Sequence, residues 1–137
     1  MVALITNRGF EQTAKLITGT GGTAFTFLAV GLGSQTELVG LETLATEIVA
    51  TSGLSRVSVT PTTATSATSG TYDTGVWANT WTAQESQAVK EAGIFQHLST
   101  ATASGRMLAY ATFTNAIPME PADTLQVTWS VKVCPGA

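Results

Sequence analysis

The C-terminal part of the chain carries the pattern that constrains the fold most. From residue 125 to residue 133, apolar side chains stand at every second position with polar ones between them. A spacing of two matches the alternation of side chains across a β-strand, and opposite apolar and polar faces are typical of a strand with one buried side. The pattern predicts a half-buried strand whose inward residues are Leu125, Val127, Trp129, Val131 and Val133.

Four further segments, residues 24–30, 57–59, 76–83 and 107–113, have strand character, and Pro118 and Pro121 mark the link from the last of them to the C-terminal strand. The 25 threonines, 11 valines and 5 isoleucines of the chain have branched Cβ atoms, which favour extended backbone. These features predict an all-β fold, a β-sandwich or a jelly-roll-like arrangement of antiparallel sheets. Residues 1–137 are expected to form a single β domain.

The segments between these strands are less regular. Residues 36–50 carry apolar side chains at helical spacing, preceded by a capping-box pattern at Ser34 and Glu37, but Gly40 weakens a helix. We therefore expect at most one short helix there, with an irregular loop as the alternative. The N-terminal segment 1–23 is expected to be an extended arm or a first strand. Residues 60–71, rich in Thr and Ser, are expected to form an exposed loop or a hairpin arm.

The charge content excludes several classes of function. Only 11% of the residues are charged, the net charge is −3, and no basic cluster is present, so nucleic-acid binding is not expected. The first residues contain only a short apolar run, which predicts neither a membrane span nor export. One cysteine, Cys134, and one histidine, His97, do not suffice for a metal site at recognisable spacing. We expect no metal and no cofactor.

One triplet, Asp73-Thr74-Gly75, matches the signature of aspartic proteases, in which two such loops pair their carboxylates. In that family the triplet follows an apolar strand, whereas here it follows the Thr- and Ser-rich segment and Tyr72. An Asp and a Gly at a turn explain it without catalysis. A small dimeric aspartic protease is therefore kept only as a remote alternative.

Other patterns that resemble catalytic sites are equally weak. Glu85 and Glu91 could pair as acid and base, but Lys90 adjoins them and the segment is interpreted as a solvated connection. His97 is interpreted as a surface histidine in the loop that follows Phe95. The glycine-rich residues 19–22 lack the Lys-Ser/Thr of a phosphate-binding loop and are interpreted as a turn between two elements. We assign no catalytic residue.

Two tryptophans share one face of the strand predicted at 76–83. Trp77, Asn79 and Trp81 stand at alternate positions, an arrangement that could form a stacking platform for sugar rings. Indole rings also bury large apolar areas, and the opposite face offers only Val76 and small residues. We favour the interpretation that this face belongs to the core.

Six short motifs follow one another along most of the chain: AVGLGS at residues 29–34, LATEI at 44–48, SRV at 55–57, EAGIF at 91–95, MLA at 107–109 and DTLQVTW at 123–129. In their order and spacing they resemble small virion structural proteins of tailed bacteriophages. This resemblance runs from about residue 29 to residue 133, and the long Thr/Ser loop and the Trp77/Trp81 pair depart from it. It implies a β-sandwich module without enzymatic activity, found as a capsid decoration (cement) protein or in tails and fibres.

The expectation is a non-enzymatic virion protein on the outer capsid surface, made in the host bacterial cytoplasm. Its expected partners are the major capsid protein and further copies of itself, with a trimer favoured; neither nucleic acid nor membrane is expected. Low charge and abundant hydroxyl groups reduce the desolvation cost of docking on neighbours. The alternative is a tail or fibre component that binds a glycan or host surface through an aromatic face.

Overall fold

A computed structural model describes residues 2–49, 52–65, 74–98 and 107–133. It contains two antiparallel sheets and one helix, which confirms the expected all-β, sandwich-like class. No helix in these ranges is long and apolar enough to cross a membrane. The elements are β1 (Val2–Ile5), α1 (Asn7–Thr18), β2 (Phe27–Gly31), β3 (Val57–Ser58), β4 (Thr62–Ala64), β5 (Thr74–Thr82), β6 (Gln87–Phe95), β7 (Met107–Met119) and β8 (Thr124–Lys132).

The two sheets enclose the main core. The larger sheet has the strand order β1-β7-β6-β2-β3, and the smaller has the order β4-β5-β8. Leu28, Val30 and Ile94 from the larger sheet are buried in one cluster with Trp81 and Leu125 from the smaller sheet. Burial of these side chains between two sheets is the main stabilising contribution that a β-sandwich offers.

The predicted C-terminal strand is confirmed as β8. Leu125 is buried, Val127, Trp129 and Val131 are half-buried, and the residues between them are exposed. β8 pairs with β5 in continuous register, which places Trp129 opposite Trp77. The prediction was wrong for Val133, which lies beyond the strand and is 71% exposed.

The other predicted strands are present with altered ends, and one strand was missed. β2, β3 and β5 match the predicted segments, and β7 continues through Pro118, so this proline does not end the strand. The missed strand is β6, which lies between β7 and β2 in the larger sheet. Residues 91–95 of β6 are all buried. The strand was not predicted because its charged and glycine residues interrupt the apolar pattern.

The helix is not where the sequence pattern placed it. The described residues 36–49 contain no helix, and their apolar residues Leu44 and Ile48 are instead buried from irregular backbone. The helix is α1. Of the two alternatives for residues 1–23, the first strand is present as β1, and the extended arm was wrong because residues 7–18 are helical. The Thr6 side chain caps α1 by accepting a hydrogen bond from the Gly9 amide, and Gly19 ends it at φ 67°, a left-handed conformation that favours glycine.

The irregular residues 32–49 pack Leu41 and Leu44 on the outer face of the larger sheet, whereas Glu47 bridges to β2 and Ile48 is buried in the core between the sheets. We call them the 32–49 loop. Leu44 is buried there with Phe95 and Tyr110, and Leu41 packs against the same cluster. The backbone hydrogen bond from Ile48 to Val30 joins this loop to β2, and the one from Leu32 to Thr46 links the two ends of the loop.

Candidate interaction surface

Glu91 lies in β6 and is completely buried. Its carboxylate accepts hydrogen bonds from the backbone amides of Ala45 at 3.0 Å and Thr46 at 2.8 Å and from the Tyr110 hydroxyl at 2.9 Å. Charged groups are buried only when such partners compensate for lost water. The interpretation of the segment from Glu85 to Glu91 as a solvated connection was therefore wrong for Glu91, although residues 84–86 are exposed between β5 and β6. Glu85 is exposed, so the two carboxylates lie in different environments.

Gly31 leaves the space that the Glu91 side chain occupies. Gly31 is the direct partner of Glu91 across β2 and β6. A Cβ atom at Gly31 would lie only 2.4 Å from the Oε1 atom of Glu91 and 2.6 Å from the Thr46 carbonyl oxygen. The AVGLGS and EAGIF motifs thus meet in space, because the glycine of one leaves room for the glutamate of the other.

Tyr110 completes this buried cluster. Its hydroxyl donates to Glu91 and accepts a hydrogen bond from the Gln35 amide at 3.2 Å. Burial, and then the hydrogen bond to Glu91, raises the pKa of Tyr110 to about 12. The neutral phenol is therefore the form that the fold favours.

Arg56 provides the second buried polar anchor. Its guanidinium donates to both carboxylate oxygens of Glu47, at 2.8 and 2.7 Å, and to the His97 carbonyl oxygen at 2.7 Å. It also lies 3.7 Å from the centre of the Phe95 ring, within cation–π range. Glu47 belongs to the 32–49 loop, and Glu91 accepts hydrogen bonds from the backbone of the same loop. Both anchors, Arg56–Glu47 and Glu91–Tyr110, therefore hold the loop in place, and we call them the loop clamp.

The loop clamp was missed at the level of the sequence. Its two glutamates stand in the quoted motifs LATEI and EAGIF, yet nothing local shows that their partners lie far away in the chain. The available signal was the charge itself: in a chain with only 11% charged residues, a glutamate or arginine surrounded by apolar residues is a candidate for a buried pair.

The other candidate residues do not form a catalytic cluster in the part of the chain that the structure describes. His97 is half-buried just after β6, and its carbonyl oxygen serves Arg56. Within the described ranges no group of three or more His, Cys, Asp or Glu residues could hold a metal ion. Asp73 and Cys134 lie outside those ranges. The glycine-rich residues 19–22 follow α1 as the predicted turn.

The tryptophan pair belongs to the space between the sheets, as we favoured. Trp81 is 6% exposed, and its indole N–H donates to the Ser55 carbonyl oxygen at 2.9 Å. Trp77 is half-buried against the same core and donates to the Phe25 carbonyl oxygen at 2.7 Å. Both rings are engaged by the protein, so they do not form an open platform for sugars.

Helix α1 turns an unusual face to solvent. Its buried residues are Gly9 and Gln12, whereas Phe10 is 59% and Ile17 80% exposed. With the exposed Ala14 these two residues lie on one stripe, at spacings of four and three. The exposed side of this helix is therefore apolar, the reverse of the usual surface helix.

The 32–49 loop extends this apolar stripe. The Asn7 amide at the start of α1 donates to the Val39 carbonyl oxygen at 2.6 Å, and Arg8 pairs with Glu42 at 2.8 Å. Leu38 is 59% and Val39 52% exposed. We call Phe10, Ala14, Ile17, Leu38 and Val39 the α1 surface. Exposed apolar patches on a folded domain mark sites where other molecules dock.

A second apolar feature lies on the open side of the sandwich. A groove of about 330 Å³ runs between β8 and the strands β7 and β1. We call it the β8 groove. Its floor includes Ala3, Ala111, Phe113 and Ile117, and β8 contributes residues 125–130.

A scan against protein-family models found no match for this chain. No curated protein and no solved structure matched it in the two other comparisons.

Proposed function

We propose that this chain is a non-enzymatic structural protein of a tailed-phage particle, a capsid decoration protein that binds the major capsid protein on the outside of the assembled shell. The observation that carries the proposal is the α1 surface: an exposed apolar helix face continued by Leu38 and Val39. The resemblance of the motifs at residues 29–129 to virion structural proteins is the reason to expect that the binding partner is part of a phage particle.

The loop clamp supports this role because it makes the α1 surface rigid. Leu38 and Val39 belong to a loop that lacks regular structure, and such a loop would lose conformational entropy on binding. The hydrogen bonds that Glu91 accepts from the loop amides, and those that Arg56 donates to Glu47, order the loop before a partner arrives. Preorganisation of this kind increases affinity without adding contacts.

The charge distribution predicts how such docking responds to salt. The described charged side chains around α1 pair with one another: Glu11 with Arg8 and Lys15, and Arg8 also with Glu42. Hydrogen bonds from Lys15 and then Arg8 lower the pKa of Glu11 to about 2. Apolar contact would therefore provide most of the binding energy, and binding should persist in about 0.5 M salt, where exposed ion pairs are screened.

The test uses particles that lack the protein. We expect them to lose resistance to heat or to internal pressure and to regain it when the purified protein is added back in about 0.5 M salt. A module bound at many sites stabilises the assembled state because it binds the shell and not its separate subunits. Depleted particles that are as robust as the originals, together with failure of the protein to return, would contradict the proposal.

Matched variants locate the docking surface. Ile17→Asp places a charge on the exposed α1 stripe and should weaken rebinding at least about tenfold, because the charge must be desolvated on docking. Val49→Asp makes the same kind of change at a residue that is 67% exposed outside this surface, and it should rebind normally. Equal binding of both variants would exclude α1 as the docking element.

The copy number separates this proposal from a tail or fibre component. A quantitative mass-spectrometric count of purified virions should give hundreds of copies for a shell protein and a few dozen at most for a tail protein. A defect confined to host attachment would favour the tail or fibre alternative. The expected homo-oligomer, with a trimer favoured, stays a prediction that the mass of the free protein would check.

A further inference from the structure

The free edge of β8 has an unusual exposure. β8 ends the smaller sheet, and no described strand pairs with its outer side. It spans nine residues, whereas the other edge strands β1, β3 and β4 span four, two and three. An unpaired edge of this length presents a row of N–H and C=O groups that can pair with another chain.

The usual devices that protect an edge strand are lacking along most of β8. Its only charged residue is Lys132 at the end, it contains no proline, and its register with β5 has no bulge. Edge strands that must not pair usually carry inward charges, prolines or bulges. β8 is instead uncharged and regularly paired over residues 124–131.

The β8 groove provides a place for an added strand. The larger sheet has five strands and the smaller has three, so the inner faces of β7 and β1 continue past β8. Ala3, Ala111 and Phe113 face this space, and Val127 and Trp129 form its side. A strand hydrogen-bonded to β8 would place every second side chain onto this apolar floor.

We propose that the β8 groove binds an extended segment of a partner polypeptide, which adds to the smaller sheet as a fourth strand. The segment that fits is about as long as β8 and alternates small apolar with polar residues, because alanines form much of the floor.

A second copy of the chain, joined through its own β8, fits the groove less well. Antiparallel pairing of two β8 strands requires a two-fold axis normal to the sheet, which keeps both larger sheets on the same side. Each larger sheet extends past its β8 as β7 and β1, so the two copies would compete for one space. A single extended segment meets no such conflict.

Amide hydrogen exchange with a synthetic peptide tests the inference. The probe is a nine-residue Val-Thr alternating peptide with blocked ends. Alternate amides of a sheet edge point away from the neighbouring strand, so alternate amides of residues 124–132 should exchange fast in the free protein. Binding should slow those amides at least about tenfold and leave the amides already bonded to β5 unchanged.

Two matched pairs sharpen the test. In the peptide, proline at the centre should abolish protection, because it removes a backbone donor and fixes φ. In the protein, Val127→Lys points a charge into the β8 groove and should abolish binding, whereas the outward Thr128→Lys should retain it. The comparison of the peptide with and without the central proline uses the unchanged protein, so it tests binding in the β8 groove even if Val127→Lys fails to fold.

Three results would overturn the inference. The first is no change in exchange at saturating peptide. The second is slow exchange of every β8 amide in the dilute free protein, which would mean that the edge is already paired within the chain. The third is protection that rises with protein concentration alone, with a doubled mass, which would assign the groove to a second copy. None of these results bears on docking through α1, which involves different residues.

Discussion

The two faces of the larger sheet differ in how they are covered. On the outer face, the 32–49 loop closes over the sheet and is held by the buried charges of Glu91 and Arg56. On the inner face, the smaller sheet stops at β8 and leaves the β8 groove. One side is closed by polar anchors, and the other is open along an apolar floor.

This difference shows how a chain with few charges uses them. Glu91 and Arg56 are buried, and Glu47 is largely enclosed, where they fix irregular backbone, while the described lining of the β8 groove contains no charged residue. Buried ion pairs rarely add net stability over apolar packing, but they specify one geometry because an unpaired buried charge is so costly. We infer that the loop clamp specifies the position of the α1 surface, whereas the groove is left able to accept a strand.

Removal of Arg56 should lower the free energy of unfolding more than any other change on the outer face of the larger sheet. Arg56→Ala leaves Glu47 without its bidentate partner at a site where the two side chains are only 3% and 10% exposed. We expect a loss of about 3–5 kcal/mol in the free energy of unfolding, measured by urea denaturation. Arg8→Ala removes the same charge from exposed pairs and should leave the free energy of unfolding nearly unchanged. Similar losses in both variants would mean that the Arg56 pair is not buried.

Removal of Glu91 should have the next largest effect. Glu91→Ala deprives the buried Tyr110 hydroxyl and the partly buried amides of Ala45 and Thr46 of their acceptor, and a buried donor left unsatisfied costs about 1–3 kcal/mol. We expect a total loss of about 3 kcal/mol and faster amide exchange in the 32–49 loop. The exposed Glu85→Ala should stay within about 0.5 kcal/mol of the unchanged protein. A stable Glu91→Ala protein with a well-protected loop would contradict the clamp.

Alkaline pH should lower the stability of the unchanged protein through Tyr110 on the outer face of the larger sheet. The pKa of Tyr110 is raised from 10.0 to about 12, so the folded state favours the neutral phenol. The stability that this shift contributes is fully present below pH 10 and is lost as the pH rises from 10 to about 12. In a Tyr72→Phe variant, the absorbance of tyrosinate should show that Tyr110 ionises near pH 12. The further substitution Tyr110→Phe should remove the loss of stability between pH 10 and 12. Ionisation of Tyr110 at pH 10 would contradict its burial.

Local patterns predicted the strands that have one apolar and one polar face. β8 shows this best, because its two faces have different surroundings and the sequence alternates accordingly. β6 escaped prediction for the opposite reason: it is covered on both sides, one of its buried positions is Glu91, and Gly93 opposes Tyr110. A strand that buries a glutamate and a glycine has no alternation to detect.

Helix α1 escaped prediction because its faces are reversed. The sequence contained real signals, namely Thr6 as N-cap, the Glu11–Lys15 pair at a spacing of four, and Gly19 as the stop. The side that packs on the protein presents Gly9, whose missing Cβ permits close approach: a Cβ there would lie 2.5 Å from the Leu108 carbonyl oxygen. Phe10 and Ile17, which a pattern analysis assigns to the core, are exposed.

The sequence by itself determined the all-β class, the facing of β8 and the place of Trp81 in the core, because these depend on side-chain alternation and apolar area within a few neighbouring residues. Only the tertiary structure decided that Glu91 meets the amides of residues 45 and 46, that Arg56 meets Glu47, and that β8 borders an open groove. Those outcomes depend on which strands become neighbours and on how far one sheet extends past the other. Local spacing carries no information about either.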